Sequence, residues 1–156
     1  MPVSAQGREI GLEISIFKGT VSLTTPLANG VRLGFELGVG TPQLDRTWYP
    51  PKDSTGGPSY EEFLHVGAFV RSSVSSLIDV DTGIRLAFSD LWLCDGDCLP
   101  RPAVAVYVQP MVGRGRFTFG PRLLAGWIAE GEPMSGDSST PFVSLSPITA
   151  RWSIPW

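Results

Sequence analysis

The feature that most constrains this chain is a period of two that recurs segment after segment and that separates two very different faces. Val31, Leu33, Phe35, Leu37 and Val39 alternate with Arg32, Gly34, Glu36 and Gly38. Ile10, Leu12, Ile14 and Ile16 alternate with Glu9, Gly11, Glu13 and Ser15, and Leu64, Val66, Ala68 and Val70 with His65, Gly67, Phe69 and Arg71. The same alternation runs through Gly83–Ser89, Val104–Gln109, Phe117–Trp127 and a last segment reading Phe142, Ile148, Ala150, Trp152, Ile154 and Trp156 on one face. Side chains two apart share one face of a strand, so each run is a strand with one apolar side. Apolar spacing of the helical kind is nowhere sustained. Eighteen Gly and 14 Pro in 156 residues cut the chain into short segments, which also excludes a long-helix protein.

The second face decides between β architectures. It carries Gly, Ala and Ser together with a recurring arginine: Arg32, Arg71, Arg85, Arg122 and Arg151, with Glu13 and Glu36 among them. A soluble sandwich wets its polar face, which is then rich in Lys, Thr and Glu. A transmembrane barrel turns the apolar face to lipid and fills a narrow lumen with small residues and mutually paired charges. Small residues plus arginine match the second description. The expected lumen charge cluster is Arg32, Glu36, Arg71, Arg85, Arg122 and Arg151.

The connections alternate in length. A long stretch from Thr41 to Ser59 is followed by a short turn at Ser75-Ser76, a longer segment from Leu91 to Pro102, a tight turn at Gly113-Arg114-Gly115, and a longer segment from Glu130 to Pro141. Outer-membrane barrels pair short turns on one side with long loops on the other. Trp48, Tyr49, Tyr60, Trp92 and Trp127 fall near the long connections, and Phe117, Trp152 and Trp156 near the short ones. These are two expected aromatic girdles, since an apolar ring with a polar edge suits a membrane–water interface.

The closing segment Ile148-Thr149-Ala150-Arg151-Trp152-Ser153-Ile154-Pro155-Trp156, apolar at every second position and aromatic at its end, resembles that of the small bacterial outer-membrane β-barrels. The resemblance implies export, recognition of this strand by the barrel-assembly machinery, and an outer-membrane location. Pro155 departs from a clean strand. Seven runs are evident where such barrels have an even number. Either the segment Arg8–Thr25 divides into Glu9–Phe17 and Thr20–Thr25 with a turn near Lys18-Gly19, or a further strand precedes it; the first is favoured and gives an all-β, antiparallel, up-and-down barrel of eight strands over residues 1–156, its lumen filled by side chains. Residues 1–7 are expected to be a signal-peptide remnant or a disordered segment.

Other chemistry is sparse. Net charge is −3 and the 12 Lys and Arg form no basic block, so nucleic acid is not an expected partner. Cys94 and Cys98 bracket Asp-Gly-Asp in an expected external loop, where an exported protein forms a small disulfide. Asp95 and Asp97 supply too few oxygens for calcium, so neither a metal nor a cofactor is expected. His65 is the one histidine. It is the sole catalytic candidate, for a barrel-embedded lipid-modifying hydrolase, and a packing role in the lumen competes with it. The leading expectation is a bilayer-embedded barrel with a structural or surface-interaction role through its loops. A soluble all-β binding module is the remaining alternative.

Overall fold

The computed structural model describes residues 7–15, 18–28, 30–40, 46–49, 62–89, 101–129 and 139–156. Its strands are β1 (Glu9–Ser15), β2 (Lys18–Ala28), β3 (Val31–Gly40), β4 (Arg46–Tyr49), β5 (Glu62–Ser73), β6 (Ile78–Ser89), β7 (Arg101–Arg114), β8 (Phe117–Ala129) and β9 (Ser139–Pro155). Every pairing is antiparallel. Neighbours run β1-β2-β3-β5-β6-β7-β8-β9, and β9 pairs back onto β1 from Glu9↔Pro155 to Ser15↔Thr149. The result is a closed, up-and-down, eight-stranded barrel, with no helix among the described residues. Short β4 lies outside the cycle and pairs with β9 at Arg46↔Leu145, beyond the end of β1.

Chain direction places both ends of the barrel sequence, Glu9 and Pro155, at one rim with the connections at residues 29–30, 74–77 and 115–116. Connections 41–61, 90–100 and 130–138 leave from the other rim, together with the short one at 16–17. The amino-terminal pair departs from expectation in its bounds. Lys18 and Gly19 already belong to β2, and β2 runs on to Ala28, so it is a full-length strand with an irregularity between Pro26 and Ala28.

Alternation along each strand sorts the residues as the pattern requires, with one correction. Phe142 points inward and is buried, whereas the sequence pattern grouped it with outward-facing Ile148 and Trp152. The cause is a bulge. Gly120 pairs with Thr149 but Arg122 with Ser146, so Pro147 and Ile148 together oppose Pro121 and the facing of β9 reverses across them.

Prolines shape the wall here more than any other residue. β7 and β8 are in register at Val108↔Leu123 and again at Val112↔Phe119, with the ladder lost in between, where Pro110 stands opposite Pro121. One pair in every two of an antiparallel ladder exchanges both its bonds, and two facing prolines remove both donors of such a pair. Pro110, Pro121 and Pro147 thus form a row across three adjacent strands in which backbone bonding is interrupted.

Inside, bulky side chains occupy space left by glycines on the neighbouring strand. A Cβ at Gly34 would drive into the ring of buried Phe69, and one at Gly38 into the His65 imidazole. Gly34→Val is therefore expected to overpack the interior and destabilise the barrel by ~1–3 kcal/mol. Denaturant titration checks this, and an unchanged midpoint would contradict the packing described.

Candidate functional site: the barrel interior and outer surface

The interior positions are supplied by one face of every barrel strand. Arg85, Arg122, Arg151, Arg71 and Arg32 point inward, as do Glu13, Glu36 and Asp81, and all are buried. Burying a charge is costly unless it is paired and hydrogen-bonded. Here the pairing is continuous. Arg85 donates to Glu36 Oε1 from Nε at 2.9 Å and from Nη2 at 2.7 Å. Arg122 Nη2 reaches Glu36 Oε2 at 3.5 Å and Glu13 Oε1 at 2.5 Å. Arg151 Nη2 donates to Glu13 Oε2 at 2.8 Å and to Asp81 Oδ2 at 2.6 Å. Arg71 then holds Asp81 through two bonds of 2.9 and 3.2 Å and lies 3.5 Å from Glu9, which pairs with Arg32 at 2.8 Å.

Followed end to end, the chain reads Arg85, Glu36, Arg122, Glu13, Arg151, Asp81, Arg71, Glu9, Arg32, with signs in strict alternation. It ties β1 to β8 and β9, across the closure of the barrel. It also spans the proline gap, because Arg122 Nε on β8 donates to Gln109 Oε1 on β7 at 2.7 Å, where the backbone ladder between those strands is missing. The Tyr107 ring lies under two of these guanidiniums, 4.9 Å from Arg122 and 5.2 Å from Arg85, as cation–π contacts require.

Nearer the long-connection rim the interior becomes apolar, with Ala87, Ala103, Leu124, Ile128 and Phe142 in one buried cluster with Phe69 and Tyr107. Packed side chains thus fill the lumen from the ion-pair chain upward, as eight strands allow.

Among the sequence-expected residues, the structure brings Arg32, Glu36, Arg71, Arg85, Arg122 and Arg151 into one network. His65 is fully buried on β5, its Nε2 3.3 Å from Thr20 Oγ1. Ser72 and Ser73 lie at the opposite end of that strand, and Ser75 and Ser76 are exposed in the turn beyond it, so none of them converges on the imidazole. Trp127, Trp152 and Trp156 are exposed on the outer surface, the first toward the long-connection rim and the others toward the opposite one. Trp48 and Tyr49 lie on β4, a strand inside what reads as one uninterrupted loop. Tyr60, Trp92, Cys94 and Cys98 fall outside the described residues, and with them the expected disulfide. Among the described residues no group of His, Cys, Asp and Glu is arranged to hold a metal ion, and no helix is long and apolar enough to cross a membrane.

The alternation places Glu9, Tyr107 and Gln109 on the inward face, though outside the expected charge cluster, and it leaves Asp81 outside any run. Asp79-Val80-Asp81-Thr82 precedes the run Gly83–Ser89, and aspartate is depleted in strands. The available signal was that its alternation continues in phase with Gly83 and Arg85.

The outer surface is the converse of the interior. Ile14, Val21, Phe35, Leu37, Ile84, Val104, Val106 and Phe119 are exposed around the full circumference, Ile14 by 67% and Ile84 by 61%. Outward positions between the two rims hold no ionised side chain among the described residues. Comparison of the chain with known protein families, curated proteins and solved structures finds no match.

The ion-pair chain makes a quantitative prediction. Arg85→Gln strands the Glu36 carboxylate with only the longer Arg122 contact and is expected to cost ~3–5 kcal/mol. Arg85→Gln combined with Glu36→Gln should cost less than the sum of the two single changes, since the pair is removed together. A double-mutant cycle by reversible unfolding measures this, and simple additivity would exclude coupling.

Proposed function

We propose that this barrel spans a lipid bilayer as a closed, outer-membrane-type protein, and that its role is structural or surface-interacting through the long connections of one rim. The observation that carries the reading is the apolar band around the entire outer surface. Large apolar patches on soluble monomers are of a few hundred Å² and confined to one side, and a band closed on itself leaves no face for water. The polarity of the two sides of the wall is that of a membrane barrel, apolar outward and polar inward. Strands such as β6 and β7, with 12 and 14 residues, exceed the ~9–11 needed to cross a bilayer. A lumen filled by the alternating ion-pair chain and the apolar cluster argues for an anchor and against a wide diffusion pore.

Refolding into detergent micelles tests the reading. An unboiled sample should migrate differently from a boiled one on a denaturing gel, and the shift should require detergent during refolding. A soluble monomer in detergent-free buffer, with no such shift, would overturn it. Ile84→Arg, on the outward face of β6 at mid-strand, is expected to cost ~2–4 kcal/mol in lipid. Insensitivity to that change would mean that this face meets water.

A further inference from the structure

Charge is distributed unequally between the two rims. Connections 41–61, 90–100 and 130–138 contain three acids each, against Arg46 and Lys52, with Lys18 and Arg101 at the strand ends of the same rim. The opposite rim exposes Arg8, Arg114 and Arg116. Among the described residues its acids are already engaged: Glu9 is paired with Arg32, and Asp79 accepts a bond of 2.7 Å from Ser73 Oγ. The cations are grouped around the end of β7, the start of β8 and the end of β9. Arg114 and Arg116 flank Gly115, whose φ of 70° closes the β7–β8 hairpin. Ser153 N donates to Arg116 O at 2.8 Å, and Trp156 N to Arg8 O at 2.9 Å. The Arg8 guanidinium stacks 5.6 Å from the Trp156 ring centre.

Directly beside these cations the outer surface is aromatic. Phe117 pairs across the ladder with Trp152, and both are exposed, as are Phe119 and Trp156. An exposed guanidinium next to exposed rings at a strand end presents one chemistry for a phosphodiester and another for the acyl chains and glycerol beneath it. Val74 and Leu77, exposed in the β5–β6 turn of the same rim, extend that apolar collar to the tip of a turn, which suits immersion in headgroups more than bulk water.

We infer that the rim formed by Arg8, Arg114 and Arg116 with Phe117, Trp152 and Trp156 is a docking surface for anionic glycerophospholipids, which take the phosphodiester on the arginines and the chains against the aromatic rings. The inference rests on the bilayer-spanning reading and adds to it a lipid class and an orientation: the cationic rim lies in the leaflet rich in anionic lipid, and the acidic connections face away from it. Basic groups close to a membrane surface each contribute affinity for anionic lipid, corresponding to about fivefold per arginine. The attraction is electrostatic, so it weakens with salt.

The test uses the full chain folded in zwitterionic detergent and titrated with phosphatidylglycerol or with phosphatidylcholine of the same chains, counting lipids retained per barrel by native mass spectrometry. Phosphatidylglycerol should be retained in preference, and high salt during titration should reduce the preference. Arg114→Gln with Arg116→Gln should reduce it by an order of magnitude or more, and the corresponding lysine variants should keep part of it. Excess inorganic phosphate should not displace the lipid. Equal retention of the two lipids, an undiminished preference in the glutamine variant, or displacement by phosphate would each overturn the inference. All of these variants should keep the heat-dependent gel shift, so loss of lipid preference with the shift intact counts against the docking surface alone. Absence of the shift in the unaltered protein counts against the bilayer reading itself.

Discussion

The fold depends on the alternating chain of ion pairs inside the barrel. Nine charged groups in a narrow lumen would repel or remain expensively desolvated if they met in any other order. Placed as arginine and carboxylate in turn, each interior acid touches two cations, and the chain crosses β1, β3, β5, β6, β8 and β9. Its members lie far apart in sequence: Arg151 and Glu13, 138 residues apart, meet only once the last strand has closed on the first. The interior therefore identifies correct closure and register as well as filling space. A slip of one residue in β3, β5, β6, β8 or β9 would turn its buried arginine outward and apolar residues inward.

The proline row shows how the network and the wall depend on each other. Pro110 and Pro121 take backbone donors from the middle of the β7–β8 ladder, and β9 bulges beside them at Pro147. In most sheets such a gap would sit at an edge. Here the bond from Arg122 to Gln109 crosses it from inside, and Arg122 is held in turn by Glu13 on β1. The side-chain network thus reinforces the wall where the backbone is weakest, which explains why a polar glutamine, fully buried, occupies the inward position next to Pro110.

Much of this was legible in the sequence because both faces of these strands carry a pattern, apolar on one side and small residues with arginine on the other. Period-two alternation identified the strands, and the small-plus-arginine face named the charge cluster before any partner was visible. What stayed illegible had local causes. Asp81 lies within β6 although aspartate has poor strand propensity, since its pairing with Arg71 and Arg151 outweighs that propensity. Phe142 was assigned to the wrong face because a bulge reverses alternation without leaving a mark beyond Pro147. β2 starts earlier than its pattern predicts because Lys18 and Gly19 read as a turn, and it continues past Thr25 to Ala28. The pairing of β4 with β9 depends on where a long connection travels, which no local pattern encodes.

On the bilayer-spanning proposal, one side of this wall meets lipid and the other meets the ion-pair network. The most direct test of that proposal is spin-label accessibility along β7 in vesicles, with labels placed singly at Val104, Val106 and Val108. Collision with oxygen is expected in strong preference to a water-soluble nickel chelate at all three positions. Preferential collision with the chelate at these positions would show that the apolar face is bathed in water and that the barrel does not span a bilayer.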